Sequence, residues 1–161
     1  MHQNYDQFLS MAFAYIEIGR IVSTSASELS NTSDFENAKA YQLYHAIELF
    51  YKYMIIRKTG RVEHTHDLKK LEDKYFKVYP DEKFKIDHPF NFSNDQFCIH
   101  NVNEKSLSTQ HMDNFKPRYM DQHLRYPIDE QTGGYSFLLE ESVFETMKEK
   151  ITSIVCNPPV N

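Results

Sequence analysis

The 161-residue sequence predicts an all-α fold: an antiparallel bundle of four to five helices forming a single domain over 1–161, with a long irregular excursion before the last helix. Three observations carry this. Apolar residues recur at three- and four-residue spacing over four long segments. The chain has only 4 glycines and 6 prolines, too few to supply the turns of a sandwich or barrel. Most of those breakers fall at the ends of the periodic segments or crowd into the stretch before the last one.

The first helix is expected over 5–28, where Tyr5, Phe8, Leu9, Ala12, Phe13, Ile16 and Gly19 share a face. The polar cluster from Ser23 to Ser33 ends it. Ser33 and Glu36 then form an S-x-x-E capping box, with Asp34 adding negative charge to the first turn. A long helix over 34–59 follows, its wide apolar face made by Ala40, Leu43, Tyr44, Ile47, Phe50, Tyr51, Met54 and Ile55. Gly60 caps it after the basic pair Arg57 and Lys58. A third helix opens with Thr65 as N-cap and Asp67 in its first turn; Leu68, Leu71, Tyr75 and Val78 line its buried side, and Pro80 stops it. In the last helix Leu139, Val143, Phe144, Met147, Ile151 and Ile154 form the stripe. Glu140 and Glu141 near its start and Lys148 and Lys150 further along complement the helix dipole. Asn157-Pro158-Pro159 closes it.

Residues 81–137 are broken by Pro89, Pro117, Pro127 and Gly133-Gly134. Phe97 to Val102 and Tyr135 to Leu138 read as short strands or as apolar tethers, and 107–125 as partly helical. Nine aromatics lie in this stretch: Phe84, Phe90, Phe92, Phe97, Phe115, Tyr119, Tyr126, Tyr135 and Phe137. A solvated loop has no use for them, so the excursion is expected to fold onto the bundle.

Composition narrows the function classes. A net charge of -5 gives no global attraction to nucleic acid, so any such contact needs a local basic patch. The run Lys69, Lys70, Lys74 and Lys77 is interleaved with Glu72 and Asp73 and reads as a solvated face. Two cysteines, Cys98 and Cys156, suit a reducing compartment, and no segment approaches a signal peptide or a membrane span; a cytoplasmic protein is expected. There is no nucleophile elbow, zincin, P-loop or EF-hand signature, and no cofactor is implied. His64-x-His66 lacks a third spaced ligand, so no metal site is assigned.

Between residues 38 and 71 the chain reads A-K-A-Y-Q-L-Y-H-A-I-E-L-F-Y-K-Y-M-I-I-R-K-T-G and then R-V-E-H-T-H-D-L-K-K-L. This order of His45, Glu48, Lys52, Gly60 and Thr65-His66-Asp67-Leu68 resembles the HEPN superfamily. Leu124-Arg125-Tyr126-Pro127 is similar to an R-Y-P signature in some of its branches. The resemblance implies a helical bundle that often dimerises, and two kinds of activity. Some members look like metal-independent endoribonucleases of toxin or defence type that use an R-x4-6-H motif. Others are non-catalytic binding or oligomerisation modules that partner a nucleotidyltransferase or another protein such as an antitoxin.

Under the first, Arg118 and His123 have the required spacing: His123 would transfer the proton at the ribose 2′-OH or the leaving group, and Arg118 would hold the phosphate. Tyr119 stands where the family often has Asn, Asp or His. Arg61–His66 and Arg57–His64 also fit the spacing. Arg125, Lys52, His66 and Tyr126 are the candidate nucleotide- or phosphate-binding residues. Each has a structural alternative. Glu48 and Lys52 make an i,i+4 pair worth roughly a few tenths of a kcal/mol on an exposed helix. His66 packs at a helix start, His45 sits beside Tyr41 and Tyr44 as a bundle histidine, and Arg125 bridges to Glu48. Pro127 holds Tyr126 extended.

Overall fold

The computed structural model describes residues 5–25, 33–90, 124–125 and 139–157. Four helices pack together: α1 (Asp6–Thr24), α2 (Ser33–Thr59), α3 (Leu68–Val78) and α4 (Glu141–Cys156). A 3-10 turn, Glu82–Phe84, follows α3, and no strand occurs among the described residues. No described helix is long and apolar enough to cross a membrane.

The long helix α2 is the centre of the molecule. Every residue from Leu43 to Ile56 is buried except His45, which is partly so. A helix buried on all sides needs cover on all sides, and its neighbours divide that task. α1 lays Ala12, Ile16 and Gly19 on the core, α3 contributes Leu68, Leu71 and Tyr75, and α4 contributes Phe144, Met147, Ile151 and Ile154. The predicted apolar stripes are thus the buried ones.

α1 runs against α4. Arg20 is paired with Glu141 at 2.7 Å, and Glu17, one turn earlier, with Lys148 at 3.1 Å. At their crossing Gly19 lets the helices touch: a Cβ placed there would lie 2.1 Å from Cε1 of Phe144. The start of α4 is tied to α2, because Lys39 donates to the Leu139 carbonyl at 3.0 Å and the Leu139 N–H donates to Glu36 at 3.2 Å. The Glu36 carboxylate also pairs with Lys39 at 2.5 Å; the side chains of Ser33 and Asp34, on which the predicted capping box depends, lie outside the described residues.

At the end of α2, Gly60 takes φ +69° and its N–H bonds the Ile56 carbonyl at 2.7 Å, the left-handed cap that glycine adopts without strain. α3 then lies alongside α2 in the same direction. Tyr44 meets Leu68, Tyr51 meets Tyr75, and Tyr79 donates to the Met54 carbonyl. Residues 60–67 must therefore return along α2 by about fifteen helical residues, some 22 Å, which eight residues at about 3.3 Å each can span. Glu63, paired with Lys74, pins this return to α3.

The α3 N-cap is Asp67, not Thr65. The Asp67 carboxylate accepts from the Lys70 N–H at 3.1 Å, and Thr65 Oγ1 supports it one step earlier by accepting from the Asp67 N–H. Asp is as good a cap as any residue type, and Thr65 is left to shape the turn. α1 is likewise shorter than expected, with Ser25 as its C-cap. In the excursion, Phe84 and Phe90 are buried against the bundle, as expected. The possible strands 97–102 and 135–138 and the other seven aromatics lie outside the described residues.

Candidate functional site

Tyr41, His45, Glu48 and Lys52 recur at spacings of four, three and four, so they form one stripe along α2. On the most buried helix of the protein such a stripe is costly. Glu48 has 1% of its side chain exposed and Lys52 has 7%. The pair is therefore not the solvated i,i+4 pair that its spacing suggests. It is a buried ion pair, with Lys52 Nζ 2.7 Å from Glu48 Oε1.

Two imidazoles complete the cluster. His66 Nδ1 lies 3.0 Å from Glu48 Oε1, and His45 Nδ1 lies 3.3 Å from Oε2. Burial alone would push the Glu48 carboxyl up. The hydrogen bonds from His45 and Lys52, with the Lys52 charge behind them, outweigh it and bring the group down to about 2. An ionised carboxylate only accepts hydrogen bonds, so both Nδ1 atoms are donors.

The two histidines are placed differently. His45 is enclosed by aromatic rings, edge-on to Tyr15 at 4.7 Å and stacked on Tyr41 at 5.6 Å. His66 stands on the return segment with 62% of its side chain exposed. Its backbone is fixed by Tyr44, whose hydroxyl donates to the His66 carbonyl at 3.0 Å and accepts from the Leu68 N–H at 3.2 Å. With Nδ1 turned inward, the Nε2 edge of His66 is the edge presented to solvent.

Arg125 closes the outer side. Its guanidinium carbon lies 5.7 Å from the centroid of the Tyr41 ring, so a chain of contacts runs Arg125–Tyr41–His45–Glu48–His66. The expected bridge from Arg125 to Glu48 is replaced by this stacking, because His45, Lys52 and His66 already occupy the carboxylate. Three of the predicted phosphate-binding residues, Lys52, His66 and Arg125, thus belong to one contiguous set. Arg118, His123 and Tyr126 lie outside the described residues. Arg57, Arg61 and His64 are exposed. Tyr15 faces His45 from α1; its signal in the sequence is its place beside the apolar stripe, seven residues after Phe8 and four before Gly19.

Among the described residues no group of three His, Cys, Asp or Glu side chains is arranged to hold a metal ion. What the cluster can do is hold two imidazoles by their Nδ1–H groups, one of them with its outer edge in solvent. One carboxylate is set against Lys52, two imidazoles and the nearby Arg125. No protein-family model matches this chain, and no curated protein or solved structure does.

Proposed function

We propose that the chain is a HEPN-like helical module that engages RNA or a nucleotide through a phosphate group, at the edge formed by His66 and Arg125. The observation that carries the reading is Glu48: an ionised carboxylate inside the central helix, holding three N–H donors, one of which stands exposed. Apolar residues would stabilise that helix as well as a buried ion pair does. A carboxylate that fixes an imidazole's tautomer and direction serves a site.

His66 would meet a phosphate oxygen as an imidazolium, its Nδ1–H kept on Glu48 and a second proton, taken up on Nε2 with the ligand, donated to the phosphate; Arg125 would offer its planar guanidinium. Tyr41, stacked with His45 and lying beneath Arg125, positions the guanidinium. Lys52 is engaged with Glu48, so its part is to hold the cluster together. On a chain of net charge -5, such a local cationic edge is what a phosphate ligand requires.

The test is fluorescence anisotropy with a labelled single-stranded RNA and with ATP, at low and raised salt. Binding should weaken with salt, and His66→Ala and Arg125→Ala should each weaken it about tenfold, the equivalent of one charge-assisted contact. No binding of either ligand at low salt, or binding indifferent to both substitutions, overturns the reading.

In its sharper form the proposal is a metal-independent endoribonuclease, with His123 moving the proton, Arg118 holding the phosphate and Arg125 assisting. RNA cleavage that is lost in His123→Ala supports that form; binding without cleavage leaves the non-catalytic module. A homodimer, a nucleotidyltransferase or an antitoxin as partner, and a cytoplasmic location belong to the same proposal.

A further inference from the structure

We propose that the cavity between residues 85–89 and the first half of α4 binds a small molecule with an apolar body and one anionic head, a carboxylate or a phosphate. This site shares no residue with the Glu48 cluster and does not depend on the reading given to it.

The cavity has a volume of about 460 Å³, within the range of about 300–1,000 Å³ common for small-molecule sites. Its walls are mainly apolar, with Pro89 on one side and Val143 and Met147 on the other. Lys85 is engaged by Glu82 at 3.5 Å and Asp87 at 4.0 Å, whereas Lys150 lines the cavity with no carboxylate among the described residues in ion-pair range. Lys150 is held in place by donating to the Lys83 carbonyl at 2.9 Å. That bond uses one of its three protons and leaves two for a ligand.

The His88 imidazole is a fixed part of the wall. Only 6% of its side chain is exposed, its Nε2 lies 3.1 Å from Glu72 Oε1, and Phe90 packs on its ring at 5.7 Å. Glu72 is held in turn by Lys69 at 3.3 Å. Burial raises the Glu72 carboxyl, and the His88 and Lys69 contacts more than offset this, so the pair is a carboxylate with an N–H donor rather than two neutral groups. The site is therefore built before any ligand arrives. The larger groove between α1 and α4 suits no anion, because three carboxylates, Glu17, Glu145 and Glu149, line it against Arg20 and Lys148.

The experiment uses the full chain and three probes: 4-phenylbutyrate, phenyl phosphate and the uncharged 4-phenylbutanol. Binding is read from the Val143 and Met147 methyl signals in carbon–proton NMR spectra. The methyl signals of both residues should shift with at least one anion at about 1 mM or below, and the alcohol should bind about tenfold more weakly. The tighter of the two anions identifies the head group. Lys150→Met should weaken the anion about fivefold and leave the alcohol unchanged. Thr146→Trp, a substitution at an exposed position of the lining, should fill the cavity and abolish binding while the helical circular dichroism stays as in the parent. Failure of all three probes to move these methyls overturns the proposal. So does an anion preference that Lys150→Met leaves at its full tenfold, or binding that survives Thr146→Trp.

Discussion

Replacing Glu48 by Gln keeps the shape of the side chain and removes its charge. Lys52, 7% exposed, then has no anion beside it in the bundle interior. His45 and His66 lose the oxygens that fix their tautomer. Breaking a buried ion pair by neutralising one member costs about 3–5 kcal/mol, because the remaining charge stays desolvated. For a domain of this length that corresponds to a fall in Tm of about 6–20 °C, at 2–4 °C per kcal/mol. Urea and thermal unfolding, followed by circular dichroism at pH 7, measure it. Lys52→Met alone should cost a similar amount by leaving the carboxylate unpaired. The double variant should be more stable than the sum of the singles, with a coupling of about 2 kcal/mol or more. A Glu48→Gln protein within about 1 kcal/mol of the parent, with no coupling to Lys52→Met, would refute the reasoning. Glu48 would then be behaving as a solvated surface carboxylate.

The same carboxylate sets an acid limit. Glu48 titrates near 2 in the folded chain against 4.5 as an ordinary carboxyl, so its stabilisation is complete above pH 4.5 and is lost as the pH falls towards 2. The loss is about 3 kcal/mol, and it should be missing from the acid-unfolding profile of Glu48→Gln. Gly19→Ala brings a methyl into the Phe144 ring, 2.1 Å from Cε1. Overpacking of about 1–3 kcal/mol outweighs the helix propensity gained, and Phe144→Leu in the same chain should restore part of it, as thermal melts would show. Asp67→Ala removes the α3 cap and should cost about 1 kcal/mol in urea titrations, more than Thr65→Ala does.

The helices were legible because the chain keeps the helical period wherever it is buried. Leu68, Leu71 and Tyr75 on α3, and Phe144, Met147, Ile151 and Ile154 on α4, fall on the faces the periodicity predicts. Gly60 was legible as a cap and Gly19 as a position on the buried face for the same reason: local rules and the tertiary fold agree there. The Glu48–Lys52 pair was legible as a pair but not as a buried one. Sequence spacing says which side chains are neighbours and nothing about what covers them. The cover comes from residues 60–67, whose return along α2 obeys no period, and which set His66 beside Glu48 from eighteen positions away. The Asp67 cap was misassigned to Thr65 because both residues suit the position and only the start of the helix decides between them. The cavity beside His88 left no trace in the sequence, since its walls come from two segments some fifty residues apart.

The central claim is that Glu48 holds His66 in one tautomer and turns its other nitrogen towards a phosphate ligand. Nitrogen–proton correlation spectra of the imidazoles, recorded on the free protein near pH 8 and again with single-stranded RNA, test it most directly. The account predicts that the free protein has His66 protonated at Nδ1 with Nε2 bare, and that RNA moves the Nε2 resonance of His66 far more than that of the enclosed His45. A His66 ring protonated at Nε2 in the free protein, or a His66 signal that RNA at saturating concentration leaves in place, would contradict it.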